Sequence, residues 1–134
     1  MKVSADLFRD AFGFTDGVLP AACPTRTVLD HVTSKWGVLI IIALSTGTMR
    51  WSELRSVVQG VSEKMLAQTL RTLEKDGIIL REAQASIPPR VDYSLTARGR
   101  ELSEKLLPLM EWIAENATAI VGDGGGHPAT SPSQ

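Results

Sequence analysis

The chain has 134 residues and a mass of 14.5 kDa, which is the size of one ordinary domain. It is 43% hydrophobic and 22% charged, a mixture typical of soluble globular proteins that excludes a disordered, collagenous or coiled-coil chain. The formal net charge of −1, taken as a single sum, gives no sign of a nucleic acid or an acidic membrane as partner. The one cysteine cannot form an intrachain disulfide, which fits a reducing cytoplasm.

The sequence carries no targeting or membrane signal. The first residues include Asp6, an acid where a signal peptide would have its apolar region. The longest apolar run, Val38 to Leu44, has seven residues, whereas a bilayer-spanning helix needs about 20. We therefore expect a cytoplasmic protein that makes no membrane contact.

Helical patterns fill the first third of the chain. Apolar residues recur at loose helical spacing over 3–14, where Gly13 is placed to end a short helix. Pro24 is a suitable first residue for the next helix, because it has no N–H to leave unpaired. Ser34 is placed to cap a further helix over Trp36 to Leu44, which is apolar on nearly all sides and should be buried.

Two helices in quick succession follow. Residues Trp51 to Val58 form a short helical pattern, and a tight connection over 59–61 leads to Ser62, the expected cap of a longer helix from Glu63 to Asp76. Gly77 is well placed as the C-terminal cap of this longer helix. The stripe of this helix that faces the core should comprise Met65, Leu66, Thr69, Leu70 and Leu73.

After Gly77 the apolar period changes to two, which indicates strands. Ile78 to Glu82 and Val91 to Leu95 should pair as a hairpin, with Pro88 and Pro89 in the loop between them.

A final helix should begin after Thr96 and continue to about residue 121. Pro108 should kink or split this helix, because an interior proline costs about 3 kcal/mol. The tail, 122–134, is rich in glycine and has no large apolar residue, so we expect it to be disordered.

This order of elements is the winged helix-turn-helix plan, a mainly α fold with a small β-hairpin (α+β). The DNA major groove is about 12 Å wide and admits one helix, and the second helix of the motif is the one that enters it. Here that helix carries on its outer face residue types that bond phosphates and base edges: Ser62, Lys64, Gln68, Arg71, Thr72 and Lys75. The alternative is an ordinary solvated helix face, but the position in the motif favours DNA.

The charge is unevenly distributed along the chain. Residues 35–100 hold ten basic and six acidic side chains, a net charge of +4, and the remainder has a net charge of −5. We expect Lys64, Gln68 and Arg71 to contact base edges, and Ser62, Lys75 and Arg90 to contact phosphates. Arg90 would act from the wing, as the hairpin is called in this motif.

Four segments together resemble the HxlR-type regulators, a branch of the MarR-like winged helix repressors. They are Cys23-Pro24 with Ser34-Lys35-Trp36, then Trp51 to Arg55, Val61 to Gly77, and Pro88 to Thr96. The resemblance covers about residues 23–115. It implies a bacterial, cytoplasmic, homodimeric transcriptional regulator that binds double-stranded DNA at an inverted repeat and needs no cofactor.

The resemblance also implies a role for each segment of the chain. Residues 1–22 would be an N-terminal helical arm for dimerisation, 23–100 the winged helix DNA-binding domain, and 101–121 a C-terminal dimerisation helix before the tail. Family members often respond to quinones, aldehydes or oxidants through a cysteine at the position of Cys23.

Cys23 has a physical argument of its own. As the residue before Pro24 it would sit at a helix N-cap, where the helix dipole favours a thiolate. A thiolate attacks electrophiles and peroxides, so Cys23 is a candidate redox sensor. The alternative is a packed structural thiol, with regulation by a small aromatic ligand held non-covalently.

Other functions have less support in the sequence. One alternative is a winged helix that serves only protein assembly. Such a protein would bind no DNA duplex even at low salt. No nucleophile, base and orienting acid fall together, so we do not expect an enzyme. His31 and His127 have no further ligand at metal spacing, so we expect no metal site.

Overall fold

The computed structural model describes residues 24–122, together with Asp10. The helix predicted over 3–14, Cys23, and the tail beyond Gly122 lie outside the described residues. The described chain contains five helices and three strands. In chain order they are α1 (Pro24–Thr33), α2 (Lys35–Leu44), β1 (Met49–Arg50), α3 (Trp51–Val57), α4 (Glu63–Lys75), β2 (Ile79–Gln84), β3 (Arg90–Leu95) and α5 (Ala97–Val121).

The central helix α2 begins at a capped serine, as predicted. The Ser34 Oγ accepts a hydrogen bond from the backbone N–H of Gly37 at 3.1 Å, which satisfies one of the donors that a helix start leaves unpaired. Ile40 and Ile41 are fully buried. This apolar helix therefore lies in the core, as predicted.

Helices α3 and α4 form the helix-turn-helix. The Ser62 Oγ caps α4 by accepting from the N–H of Met65 at 3.1 Å. Leu66, Leu70 and Leu73 are buried, but Met65 is 38% exposed. Its predicted place in the inner stripe is wrong, because the stripe is narrower and Met65 faces a cavity beside α1.

The end of α4 lies one residue earlier than predicted. Asp76 is its C-cap, and Gly77 follows with φ of +76°, a left-handed conformation that glycine adopts without strain. Asp76 is thus at the junction between the second helix of the motif and the sheet.

The sheet is antiparallel with strand order β1-β3-β2. Ile79 pairs with Leu95, and Arg81 pairs with Tyr93. The short strand β1 was not predicted, because two residues are too few to display a period of two. The hairpin strands are longer than predicted at their loop ends.

The last helix, α5, runs without interruption through Pro108, so the predicted split is wrong, and the alternative of a kink stays a prediction. Proline removes the hydrogen bond to the carbonyl of Glu104. Both Glu104 and Pro108 are exposed, so water can satisfy that carbonyl and reduce the cost. Near its start α5 packs tightly on the hairpin, since a Cβ at Gly99 would overlap the carbonyl oxygen of Ile78.

One core joins these elements and holds α4 with its polar face outward. Its buried members come from α2, α3, α4, the hairpin and α5. Within residues 24–122, no individual helix has both the length and the apolar composition to cross a membrane. The pair α1 and α2, bent at 68°, meets that test together, but α2 is the core helix.

Candidate nucleic-acid interface

The outward face of α4 is a narrow strip of polar and cationic side chains. Lys64, Gln68, Arg71 and Lys75 are all exposed. At 3.6 residues per turn these four positions lie within an arc of about 60°. The strip is opposite the buried leucines of the same helix, so anchoring the leucines in the core directs the strip to solvent.

Two further predicted residues lie at the margins of this strip. Thr72 is half-buried and lines a cavity of about 170 Å³ between α1 and α4. Ser62 is exposed at the start of α4, where its Oγ already accepts the capping hydrogen bond. Its hydroxyl hydrogen is still available to donate to a phosphate.

The wing residue Arg90 is engaged with an acid. Its Nε donates to Asp92 Oδ1 at 3.1 Å, and Gln84 Nε2 donates to the other oxygen of Asp92 at 3.3 Å. Arg90 and Asp92 alternate with the buried Tyr93 along β3, so they lie on the outer face of the hairpin. A phosphate contact from Arg90 would have to compete with Asp92.

A different arginine of the hairpin shares a cleft with α4. Arg81 and Arg71 both line a space of about 330 Å³ between α4 and the sheet, together with Trp51, Glu74 and Tyr93. Arg81 was not among the predicted site residues. The alternation along β2 could have indicated it, because Arg81 is two residues after the buried Ile79 and so leaves the strand on the same side.

An ion pair joins the two helices of the motif. Arg55 Nη1 on α3 lies 2.8 Å from Glu63 Oε2 on α4, and the two side chains are 44% and 70% exposed. Exposed pairs of this kind contribute about 1 kcal/mol or less. The burial of Leu54 and Leu66 in the common core, where both are fully buried, is therefore the main restraint on the positions of α3 and α4.

The described residues offer two small cavities beside α1. One is the 170 Å³ space against α4. The other, about 250 Å³, lies against α5 and is lined by Val28, Val32 and Leu102 among others. Pockets for drug-sized ligands are about 300–1,000 Å³, so each of these spaces is suited at most to a single ring. No group of three or more metal-ligating side chains occurs within the described part of the chain.

The model of the HxlR-like helix-turn-helix family matches residues 31–120. The chain belongs to this family. The matched region contains both helices of the motif, the hairpin and nearly all of α5. The resemblance inferred from the sequence motifs is thereby confirmed, and so is the winged helix fold, mainly α with a small sheet.

Relatives of this HxlR-like chain are named as transcriptional regulators. It is 54% identical over 99 residues to the HTH-type transcriptional regulator YtfH of Escherichia coli K12, covering 74% of this chain and 79% of that protein. It is also similar to the structure of YtfH from Salmonella typhimurium, with a TM-score of 0.72 and 50% identity over 77% of this chain and 92% of that one. This HxlR-like protein is therefore a transcriptional regulator with a helix-turn-helix DNA-binding domain.

One similar structure is that of a redox regulator. HypR in its oxidized form matches with a TM-score of 0.66 and 37% identity, covering 70% of this chain and 97% of that one. A structure of HypR in its reduced form matches equally well, with a TM-score of 0.66. At least one structural neighbour of this HxlR-like chain thus exists in two redox forms.

Proposed function

We propose that the protein is a homodimeric, cytoplasmic repressor that reads an inverted-repeat operator with α4. The observation that carries this proposal is the exposed strip of Lys64, Gln68, Arg71 and Lys75 on the second helix of the motif. Arg and Gln side chains make bidentate hydrogen bonds to guanine and adenine in the major groove. We assign Lys64, Gln68 and Arg71 to base edges, with Thr72 beside them.

Phosphate contacts would fix the orientation of α4 in the groove. We assign Ser62, Lys75 and Arg90 to this role. Ser62 and Lys75 stand at opposite ends of α4, which suits them to the two sugar-phosphate backbones that border the groove. Arg90 would exchange its contact with Asp92 for one with a phosphate, which makes it the weakest of the three assignments.

A dimer would cover the apolar side chains that α5 exposes. Trp112 is 56% exposed, Leu109 50% and Ile113 41%, and large exposed apolar patches mark interaction surfaces. We propose that 101–121 and the arm 1–22 form the dimer interface and that 23–100 binds DNA. Two copies would double the positive charge facing the operator.

We propose further that Cys23 senses oxidants, quinones or aldehydes. Support comes from its place in the sequence next to Pro24, with which α1 begins, and from the similarity to a redox regulator. The Cys23 thiolate would add its electron pair to an electrophilic carbon of a quinone or aldehyde, forming an S–C bond while the displaced π pair moves to oxygen and is protonated. Alternatively, two thiols would give two electrons and two protons to an oxidant, which is reduced as the S–S bond forms. With one cysteine per chain, the products available are an alkylated thiol, a mixed disulfide or an intersubunit Cys23–Cys23 disulfide.

The substitution R71A tests DNA reading. A duplex is first selected from a random library by the wild-type protein, and its affinity is measured by gel shift. If Arg71 pairs with a guanine, R71A should weaken binding by about 1–3 kcal/mol. The matched control is R100A, which removes the same charge from an exposed position on α5.

The outcomes separate DNA reading from protein assembly. Equal affinity of R71A and R100A for the selected duplex would remove Arg71 from the base-reading set. A wild-type protein that binds no duplex even at low salt, where electrostatic binding is strongest, would favour a winged helix that serves only protein assembly.

The substitution C23S tests sensing. Diamide or a quinone should release the wild-type protein from the selected duplex, and C23S should stay bound, because serine forms neither bond. Gel shift with and without the oxidant measures this. A C23S protein that the quinone still releases as readily as the wild type would indicate that an aromatic ligand is sensed non-covalently, for which the cavities beside α1 are the candidate sites.

A further inference from the structure

Helix α1 is the helix least embedded in the described part of the molecule. None of its ten residues is buried, whereas α2 contributes Ile40, Ile41 and Leu44 to the core. A cavity lies on each side of α1, one toward α4 and one toward α5. Where side chains do not fill the space between helices, dispersion contacts are lost. Polar contacts therefore matter more for α1 than for its neighbours.

One polar contact connects α1 directly with α4. His31 Nδ1 lies 2.7 Å from Asp76 Oδ2, and the two side chains are 33% and 19% exposed. The Nδ1–H of either a neutral or a protonated ring can donate to this carboxylate. His31 also lines the cavity between α1 and α4, so this contact, the His31–Asp76 tie, lies at the edge of the space that the two helices leave unfilled.

Asp76 is placed to transmit this contact to the DNA-reading strip. It is the C-cap of α4 and follows Lys75 directly. Its carbonyl oxygen accepts from Arg98 Nη1 of α5 at 3.0 Å, while its carboxylate accepts from His31. The C-terminal end of α4 is thus held from two sides. A change in either support would tilt α4 and move Arg71 and Lys75 relative to a duplex.

We propose that His31 and Asp76 are positioning residues for DNA recognition. Their tie sets the orientation of α4, and through it the position of α1 controls the affinity for specific sequences. The proposal rests on the proposed function in one respect, that α4 reads DNA. It adds the contact by which a change at α1, the helix that follows Cys23 in the sequence, reaches the reading helix.

The test compares H31A and D76A with the wild type. Fluorescence anisotropy measures their affinity for a duplex selected by the wild-type protein and for a scrambled duplex of the same composition. Each variant should bind the selected duplex about tenfold more weakly, a loss equivalent to about 1.4 kcal/mol, and the scrambled duplex at least as tightly as before. For D76A the expected loss is opposite to the effect of charge alone, since removing an acid strengthens binding to a polyanion.

Three controls separate positioning from general damage. H31N keeps an N–H donor at the same number of bonds from Cα as Nδ1 of histidine, so it should restore binding that H31A loses. D30N removes an exposed acid from the neighbouring position on α1 and should not weaken binding. The double variant H31A/D76A should be no weaker than either single variant, because both substitutions remove the same contact.

The temperature is chosen so that far-UV circular dichroism reports every variant as folded. Selective loss for the chosen duplex, with rescue by H31N, would support the proposal. Wild-type affinity of H31A and D76A, or equal losses on both duplexes, would overturn it. A wild-type protein that does not distinguish the two duplexes would instead overturn the proposed function, so the two failures can be told apart.

Discussion

At the scale of single residues, Ser62 has two tasks that different atoms of one hydroxyl can perform. Its oxygen accepts from the N–H of Met65 and caps α4. Its hydrogen remains free to donate to a phosphate, as we propose. The first task stabilises the fold by about 1 kcal/mol, and the second would add to DNA affinity without affecting folding.

The substitution S62D separates these tasks. Aspartate caps a helix as well as serine does, and its charge is favourable at a helix N-terminus, so the melting temperature should stay within a few degrees of wild type. The same charge would repel a phosphate, so affinity for the selected duplex should fall several-fold, and more at low salt. S62A should instead lose about 1 kcal/mol of stability. Unchanged DNA affinity of S62D would show that Ser62 is only a cap.

Residue roles that depend on a neighbour distant in the sequence could not be predicted. The prediction that Ser62 is an N-cap needed only a local pattern and is confirmed. The hydrogen bond between His31 and Asp76 joins residues that are 45 positions apart, so no local sequence pattern could predict it. Arg90 shows the intermediate case, since its acid partner Asp92 is two residues away and visible in the sequence once the strand is assigned.

At the scale of elements, the strongest predictions came from long, regular patterns. The helix α4, with its cap, its leucine stripe and Gly77, was predicted to within one residue. Strand β1 was not predicted, because a strand of two residues is too short to show the alternation of apolar and polar residues. The rule that proline breaks helices failed at Pro108, because the carbonyl it leaves unpaired is on the exposed side of α5 and water can bind it.

At the scale of the whole molecule, a net charge of −1 is a poor guide to partners. The basic excess is concentrated in residues 35–100, which contain the helix-turn-helix and the hairpin. The acidic excess lies in the flanking segments, to which we assign dimerisation. A protein of this kind can remain soluble while it presents a positive surface to DNA.

The substitution I113E tests whether α5 forms the dimer interface. Ile113 is 41% exposed beside Trp112 and Leu109 on α5, and a charge buried in a dimer interface without a partner is costly. We expect the wild-type protein to sediment as a dimer and I113E as a monomer at the same micromolar concentration in analytical ultracentrifugation. The control T118E places the same charge at an exposed polar position of α5 and should leave the dimer intact. Dimers in both variants would contradict an interface at Ile113.

We propose that α4 reads base edges in the major groove, and removing single acceptor atoms from the bases tests this. In the selected duplex each guanine is replaced in turn by 7-deazaguanine, which lacks the N7 acceptor of the major groove but still pairs with cytosine. If Arg71 reads guanine, at least one replacement should weaken wild-type binding by about 1–3 kcal/mol and have no further effect on R71A. If no replacement changes the wild-type affinity, or if the losses are the same for R71A, Arg71 does not read guanine from α4.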